Sequence, residues 1–175
     1  SATVICSATV RAMTSDVLSV PSGLLIGGER ITDRSGGTHA HIYPATGRPN
    51  AHIRLAGPDD IDRAVASAWE AHREWMSLTV DCRRDLLVDL ADAVRENLDD
   101  LARLNVHDYA VPISFAGNAI LLERFLRHFA GYVDKLHGAT TPVTGSLDIN
   151  LIEREPYGVV GVITPWNGSL VVSGS

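Results

Sequence analysis

The fold of this chain is decided by one stretch near its end, REPYGVVGVITPWN at residues 154–167. Val159 to Ile163 form a β-branched run interrupted by a glycine, a pattern typical of a parallel strand that is buried on both faces. Pro165 cannot donate a hydrogen bond to a sheet ladder, so we expect the strand to end there. The stretch therefore predicts an α/β fold in which a buried strand leads into a rigid turn at Trp166 and Asn167.

Asn167 is the leading candidate for a catalytic side chain. It follows the expected strand and precedes an expected helix that begins near Ser169. In open α/β sheets, ligands bind beyond the carboxyl ends of the strands. A neutral amide there can donate a hydrogen bond to a developing oxyanion at any working pH. The alternative is that Asn167 caps the next helix or shapes the turn, and spacing alone favours it. Trp166 could likewise line a pocket or simply pack in the core.

Composition limits the classes of function open to this chain. It has 175 residues, 45% hydrophobic content and a formal net charge of −6, values typical of a folded globular protein and not of a disordered one. Because the charges form no basic stripe, nucleic-acid binding is not supported. No apolar run approaches the roughly 20 residues that a membrane-spanning helix needs. We therefore expect neither a nucleic acid nor a membrane as a partner.

The cysteines and histidines do not form an evident site. Two cysteines, Cys6 and Cys82, are too few for a disulfide scaffold and favour a reducing, cytoplasmic location. Cys82 lies beside two arginines, but its amphipathic helix pattern contains no activating His or Glu, so we do not expect a nucleophile there. His39 and His41 share one strand face without a third ligand. They are interpreted as surface histidines, and no metal site is expected.

The first part of the chain alternates hairpin and helix patterns. Short strands are predicted on either side of Gly27-Gly28 and on either side of a turn at residues 44–47. A first helix is expected to open at residues 57–60, where acidic side chains suit the positive helix N-terminus. A second helix is expected to start near Thr79, with a break or bend at residues 97–100.

A third long helix is predicted to open at Pro112 and to end at Gly138. Its apolar residues alternate steps of four and three, which indicates either a core-facing helix or a short coiled-coil seam between two chains. These residues are Phe115, Ala119, Leu122, Leu126, Phe129, Val133 and Leu136. Residues 139–156 include an alternating stretch and are interpreted as an exposed hairpin that projects from the body.

Several segments, in this order along the chain, resemble the N-terminal part of aldehyde dehydrogenases. LIGGE at 25–29 resembles the family's opening hairpin, and YPATG at 43–47 resembles its Asn-Pro-Ala-Thr-Gly turn. Trp75 stands where the family has a Trp after the first helix, and YVDKLHG at 132–138 resembles the end of its long helix. The most specific matches are REPYGVV at 154–160 and TPWN at 164–167.

The resemblance implies the oxidation of an aldehyde to a carboxylic acid with NAD or NADP. In that family a cysteine attacks the aldehyde to give a thiohemiacetal, hydride leaves to the nicotinamide, and a glutamate-assisted water releases the acid. Asn167 matches the family residue that helps to hold the oxyanion. Residues 139–156 match part of the family's oligomerisation hairpin, so a homo-oligomer is expected. The positions that match the nicotinamide side of the cofactor pocket are Ile163, Thr164, Pro165 and Trp166.

Departures from the family pattern limit what this chain is expected to do alone. Gly168-Ser169 replaces the common Phe-Pro after the Asn, and Tyr109-Ala110-Val111 replaces the usual Asn-Gly-Lys. Neither Cys6 nor Cys82 matches the nucleophile, so the family's Cys and general-base Glu are expected beyond Ser175. We therefore expect the 175-residue chain to be inactive by itself. The alternative is a non-catalytic piece that acts by self-association or subunit pairing.

The resemblance also predicts the domain organisation. The expected architecture is α/β, the N-terminal part of an aldehyde dehydrogenase-like fold, with an incomplete Rossmann-like cofactor domain and an oligomerisation hairpin. Its expected parts are a loose tail at 1–22, strands and helices of the cofactor-binding domain at 23–138, the hairpin at 139–156, and the first Rossmann-like strand with the start of the next helix at 157–175.

Overall fold

Antiparallel hairpins form the β structure of the computed structural model, which describes residues 23–32, 36–145 and 147–174. The expected tail at 1–22 therefore lies outside the described residues. The paired strands are β1 (Leu24–Ile26) with β2 (Glu29–Ile31), β3 (Thr38–Tyr43) with β4 (Arg48–Arg54), and β5 (Ala139–Pro142) with β6 (Ile149–Ile152). The first two hairpins are predicted by their turn residues and the third by its alternating stretch. Gly27 and Gly28 both have positive φ, which explains why the first turn uses glycine twice.

Helices are the most abundant secondary structure of the described residues. Their bounds are α1 (Pro58–Ser77), α2 (Val80–Glu96), α3 (Leu98–Tyr109), α4 (Ala119–Ala130) and α5 (Ser169–Val172), with a short 3-10 turn at Ile113–Phe115. The predicted openings of the first two helices and the predicted break near Asn97 are confirmed. Trp75 lies in the last turn of α1 and not after the helix. None of the described helices is long and apolar enough to cross a membrane.

Local hydrogen bonds explain where these helices begin. At α1, the backbone N–H of Gly57 donates to Oδ2 of Asp60 at 3.0 Å, so an acidic side chain in the first turn satisfies a donor just before the helix. At α2, the hydroxyl oxygen of Thr79 accepts the backbone N–H of Cys82 at 3.2 Å. Cys82 thus lies in the first turn of α2, as its amphipathic pattern predicts.

The core lies between α2 and α4. Ala91 and Val94 of α2 pack with Leu126 of α4, and four partly buried leucines surround them. These leucines are Leu87, Leu98, Leu101 and Leu122. The alanines at the buried positions let the two helices approach closely, and this contact fixes the frame on which α3 and α5 rest.

The largest fully buried side chain in this interface is the carboxylate of Glu123. Glu123 of α4 is 1% exposed and accepts hydrogen bonds from Arg127 Nε at 2.5 Å and from Arg95 Nη2 at 2.6 Å. Arg127 also pairs with Asp92 of α2. Hydrogen bonds from Arg127 and then Arg95 hold the pKa of the Glu123 carboxyl below its usual value, because they stabilise the charged form. The paired arginines thus keep a buried charge across the α2–α4 contact.

The prediction of one long helix from Pro112 to Gly138 is wrong. The helical segment α4 covers only Ala119–Ala130, and the 3-10 turn precedes it. At the break, the Ala116 carbonyl accepts a hydrogen bond from the Asn105 side chain of α3, at 3.1 Å. At the other end, Gly131 closes the helix and residues 131–134 form turns. Phe115 and Leu136, expected on the apolar seam, are exposed.

The predicted buried strand at residues 159–163 is also not found. No strand is assigned between residues 153 and 168, and Val160, Val162 and Ile163 are exposed. A parallel strand is stable only when neighbours pair with its backbone and cover both faces. No other described segment supplies such a partner. The assignment of 157–175 to a cofactor domain stays a prediction, and so do the other domain bounds.

Candidate functional site

The candidate site is the turn at Trp166 and Asn167, immediately before α5. Gly168 is the N-terminal cap of this short helix, and its carbonyl accepts the backbone N–H groups of Val171 and Val172 at 3.1 and 3.0 Å. No side chain caps α5, so Asn167 does not cap the next helix, but it does lie in the turn, as the other part of that alternative predicts. The side chain of Asn167 is exposed and available to a ligand.

The segment that leads into the turn presents an apolar surface. Ile163 is 99% exposed and Trp166 is 76% exposed, whereas Thr164 is half-buried and Pro165 is exposed. The Gly168 N–H donates to the Pro165 carbonyl at 3.4 Å, which closes the turn around Trp166 and Asn167. All four residues predicted to contact a cofactor are therefore next to Asn167, and most of their surface is uncovered.

Tyr109, the last residue of α3, contacts the turn through the side chain of Trp166. Its ring meets the Trp166 indole edge-on, with centroids 6.2 Å apart and an interplanar angle of 75°. The Tyr109 hydroxyl accepts a hydrogen bond from Asn118 Nδ2 at 3.3 Å, and Asn118 Oδ1 accepts one from Asn105 Nδ2 at 2.8 Å. These contacts connect the exposed turn with the buried Asn105.

A cavity of about 190 Å³ lies beside the same turn. Ser169 and Leu170 of α5 form one wall, and Asn105 and Asp108 of α3 form another. Most of the lining is apolar, and His41 of β3 contributes a polar group at its border. The cavity lies between α3 and the first residues of α5, which packs against α4.

Of the two predicted surface histidines, His39 is exposed, whereas His41 is only partly at the surface. Its side chain is 21% exposed, and it connects the β3–β4 hairpin to α3. Its Nδ1 is 2.6 Å from Asn50 Oδ1, its Nε2 is 3.2 Å from Asp108 Oδ1, and Asn50 Nδ2 donates to the His107 carbonyl at 2.7 Å. In the part of the chain that the structure describes, no cluster of three or more His, Cys, Asp or Glu side chains could hold a metal ion.

Comparison with protein families decides the identity of this fold. The model described as "Aldehyde dehydrogenase family" matches residues 31–175, which is most of the chain. The chain belongs to the aldehyde dehydrogenase family. The match includes the helical frame, the hairpin at 139–156 and the turn that carries Asn167.

Curated aldehyde dehydrogenases are similar over most of this chain. It is 39% identical over 149 residues to aldehyde dehydrogenase 1 of Tanacetum cinerariifolium, which covers 82% of this chain and 30% of the relative. It is 35% identical over 153 residues to the mitochondrial aldehyde dehydrogenase family 2 member B4 of Arabidopsis thaliana, which covers 85% of this chain and 28% of the relative. The chain thus spans under a third of the length of these relatives.

Solved aldehyde dehydrogenases share the fold as well. An aldehyde dehydrogenase of Bacillus cereus superposes with a TM-score of 0.80 at 34% identity, over 87% of this chain and 32% of that one. An indole-3-acetaldehyde dehydrogenase of P. syringae, solved in complex with NAD+, superposes with a TM-score of 0.80 at 30% identity, over 89% and 32%. The expected fold class is confirmed, because the chain has the mixed helix and strand structure of the N-terminal aldehyde dehydrogenase portion.

Three residues that support the site were not found from the sequence. Tyr109 was noted only because it replaces the usual Asn, and Asn105 and Asn118 were not singled out. Asn118 lies directly before a run of helix-forming residues, which was a weak signal of a helix boundary. Its contact with Tyr109 depends on tertiary structure, so sequence spacing could not reveal it.

Proposed function

We propose that this chain is part of an enzyme that oxidises an aldehyde to a carboxylic acid with NAD or NADP. The observation that carries this proposal is the placement of Asn167. Its amide is exposed on a closed turn, directly after four residues with an accessible, mostly apolar surface. Similarity to aldehyde dehydrogenases over most of the chain supports the same reaction class.

In this proposal Asn167 donates a hydrogen bond to the oxyanion of a thiohemiacetal. A cysteine thiolate supplied outside residues 1–175 adds to the carbonyl carbon, and the negative charge moves to the aldehyde oxygen. An amide N–H aimed at that oxygen stabilises the charge more than it stabilises the uncharged aldehyde, which lowers the barrier. Because the amide does not titrate, Asn167 can act at any working pH. Cys82 lies in the first turn of α2 and is not assigned this chemistry.

The residues at 163–166 are proposed to hold the nicotinamide side of the cofactor. When it is bound, NAD or NADP accepts the hydride that leaves the thiohemiacetal carbon. Ile163 and Trp166 offer exposed apolar surface that fits a flat ring, and Pro165 keeps the backbone between them rigid. Thr164 is half-buried, so it offers less surface than its neighbours. Water activated by a glutamate outside the chain then releases the acid.

Two measurements test the proposal. The first is the intact mass of the native protein, with peptide sequencing past Ser175; we expect a mass well above 18.8 kDa. The second is the formation of reduced nicotinamide by that native protein with a panel of aldehydes. Substitution of Asn167 by Ala should lower kcat by roughly 10²–10³-fold, the usual effect of removing one oxyanion donor.

Controls separate catalysis from folding. Because Asn167 is exposed, Asn167→Ala and Asn167→Asp should leave the melting temperature unchanged. The Asp variant should be at least as slow, since its negative charge opposes the oxyanion. The 175-residue chain alone should show no turnover. Native protein without aldehyde oxidation, or Asn167→Ala with unchanged kcat, would overturn the proposal.

Self-association through residues 139–156 is a second proposed function, favoured by the exposed hairpin. Leu147, Ile149 and Leu151 all have large exposed fractions, although each is apolar. Apolar surface of this kind is usually covered by another protein. A second copy of the chain would cover it if two hairpins packed face to face or paired at their edges.

Neighbouring positions of β6 offer a matched test. Side chains of Leu151 and Asn150 point to opposite faces of the strand, so Leu151→Lys and Asn150→Lys place the same charge on different faces. If the apolar face associates, Leu151→Lys should convert an oligomer to monomer in analytical ultracentrifugation and Asn150→Lys should not. A chain that is monomeric at all concentrations before substitution would contradict this function.

A further inference from the structure

The Trp166 ring has one aromatic neighbour among the described residues, and that neighbour is Tyr109. The rings meet edge to face at 6.2 Å and 75°, within the 4.5–7 Å range of favourable aromatic pairs. Because Trp166 is 76% exposed, little else restrains its indole. Trp166 and Asn167 are consecutive residues of one turn, closed by the Gly168 N–H on the Pro165 carbonyl, so a displacement of the Trp166 backbone also displaces Asn167.

Tyr109 itself is held by the amide side chain of Asn118, which is held in turn by that of Asn105. The Asn105 amide is 5% exposed, and its Nδ2 donates both to the Ala116 carbonyl at 3.1 Å and to Asn118 Oδ1 at 2.8 Å. An Asn amide has two N–H donors, so this geometry fixes its orientation. Asn118 then donates to the Tyr109 hydroxyl at 3.3 Å. These hydrogen bonds thus connect the Tyr109 ring to the packed α3–α4 region.

We propose that Tyr109 is a positioning residue for Asn167. It holds the Trp166 ring, and Asn105 and Asn118 hold Tyr109, so the exposed turn takes its position from a buried amide. This inference rests on the proposed function of Asn167 as an oxyanion donor. Such a donor must lie about 2.7–3.1 Å from the oxyanion, and a misplacement of about 1 Å can cost roughly 10²-fold in rate.

The first experiment uses the chain itself and does not depend on catalysis. The Asn167 side-chain amide and the Trp166 indole are assigned by NMR through Asn167→Ala and Trp166→Phe. Their heteronuclear NOE values are then measured in Tyr109→Leu, which removes the ring, and in Tyr109→Phe, which keeps the ring and removes the hydroxyl. Tyr43→Phe is the matched control, because the Tyr43 ring also lies 6.2 Å from its aromatic neighbour, His107.

We expect Tyr109→Leu to shift both signals and to lower both NOE values, with a smaller effect in Tyr109→Phe and none in Tyr43→Phe. Asn118→Ala should have at least the effect of Tyr109→Phe, because it removes the hydrogen bond to the Tyr109 hydroxyl and also the one that Asn118 accepts from Asn105. Adding Tyr109→Phe to Asn118→Ala should change nothing further, because the hydrogen bond to the Tyr109 hydroxyl is already gone. Unchanged Asn167 signals in Tyr109→Leu would overturn the inference, even if Trp166 moved.

The second experiment measures kinetics in the native dehydrogenase. Tyr109→Leu should lower kcat by about 10-fold to 10²-fold at saturating cofactor, with the KM for the aldehyde nearly constant. In an Asn167→Ala background the same change should have almost no effect, since there is no amide left to position. Loss of activity of equal size in both backgrounds would show a merely structural role and contradict the inference. A native protein without dehydrogenase activity would refute the proposed function, while the NMR result would still decide whether Tyr109 positions the turn.

Discussion

The backbone of Gly158 lies directly against the six-membered ring of Trp69. A Cβ placed on Gly158 would lie 2.7 Å from Cη2 and 3.0 Å from Cζ3 of that indole, and Gly158 has a φ of +89°. Both features require glycine at this position. The contact brings the segment before the candidate site onto α1, so it sets where the chain enters the turn at Asn167.

Gly158→Ala should therefore destabilise the chain by about 2 kcal/mol, from the strain of positive φ and the overlap with Trp69. The free energy of unfolding in urea measures this loss. Gly161→Ala is the matched control, because a Cβ there meets no atom within 4 Å. Shortening Trp69 to Leu should recover part of the loss in the Gly158→Ala variant. Equal stability of the two Ala variants would contradict this account.

Ala110 is a second position where the backbone favours glycine. It ends α3 in the left-handed conformation, with φ 59° and ψ 30°. An L-residue in this region costs about 1–2 kcal/mol, and glycine loses about 0.5–1 kcal/mol more backbone entropy on folding. Ala110→Gly should thus stabilise the chain by about 0.5 kcal/mol, seen as a higher melting temperature. Ala71→Gly, at an exposed position inside α1, should have the opposite sign.

Glu123 should make the stability of the chain depend on pH in the acidic range. Its pKa is lowered by hydrogen bonds from Arg127 and Arg95, so it contributes stability in full above the usual Glu pKa of about 4.3. That contribution is lost as the pH falls through the lowered pKa, because the unfolded state then binds more protons. Melting curves should show Glu123→Gln to be less stable than the parent at neutral pH, with the difference shrinking below about pH 4.

An exposed carboxylate provides the control for that profile. Glu153→Gln changes a residue outside the Arg95–Glu123–Arg127 network and should leave the acid dependence as it is in the parent. If Glu123→Gln kept the full acid dependence of the parent, the buried carboxylate would not be its source.

Substitution of His41 and of His39, the two histidines of β3, should have very different effects on stability. His41→Ala removes the contacts to Asn50 and Asp108 that connect the hairpin with α3. We expect a loss of about 1–2 kcal/mol and faster hydrogen exchange in β3 and β4, since each such bond contributes about 1 kcal/mol net. His39 is exposed on the same strand face, so His39→Ala should stay within about 0.5 kcal/mol. Matching exchange rates in the two variants would refute the role of His41.

Local signals in the sequence predicted the elements that depend on local interactions. Gly27-Gly28 marks a turn because both residues adopt positive φ. Thr79 marks a helix start because its hydroxyl oxygen accepts the backbone N–H of Cys82. Such features need only neighbouring residues. They also placed the turn before Ser169 correctly, although they suggested that Asn167 would cap the helix that Gly168 caps.

Long-range contacts explain what the sequence could not predict. The heptad-like pattern after Pro112 indicates a continuous helix, but α4 starts only at Ala119. Before it, the Ala116 carbonyl accepts a hydrogen bond from the Asn105 side chain of α3. Glu123 is buried through hydrogen bonds from Arg95 and Arg127, and the partner on α2 cannot be found from local spacing. The run at 159–163 has strand propensity, yet a strand also needs a neighbouring strand, which propensity does not provide.

The alanine-rich contact between α2 and α4 has a thermodynamic consequence. The described apolar residues that are fully shielded are mostly alanines, such as Ala91, Ala119 and Ala130, while many larger apolar side chains already meet solvent in the folded state. Unfolding therefore hydrates comparatively little new apolar surface. Since the denaturant slope and the heat-capacity increment both scale with that newly hydrated area, this chain should melt over a wide temperature range with a low calorimetric enthalpy.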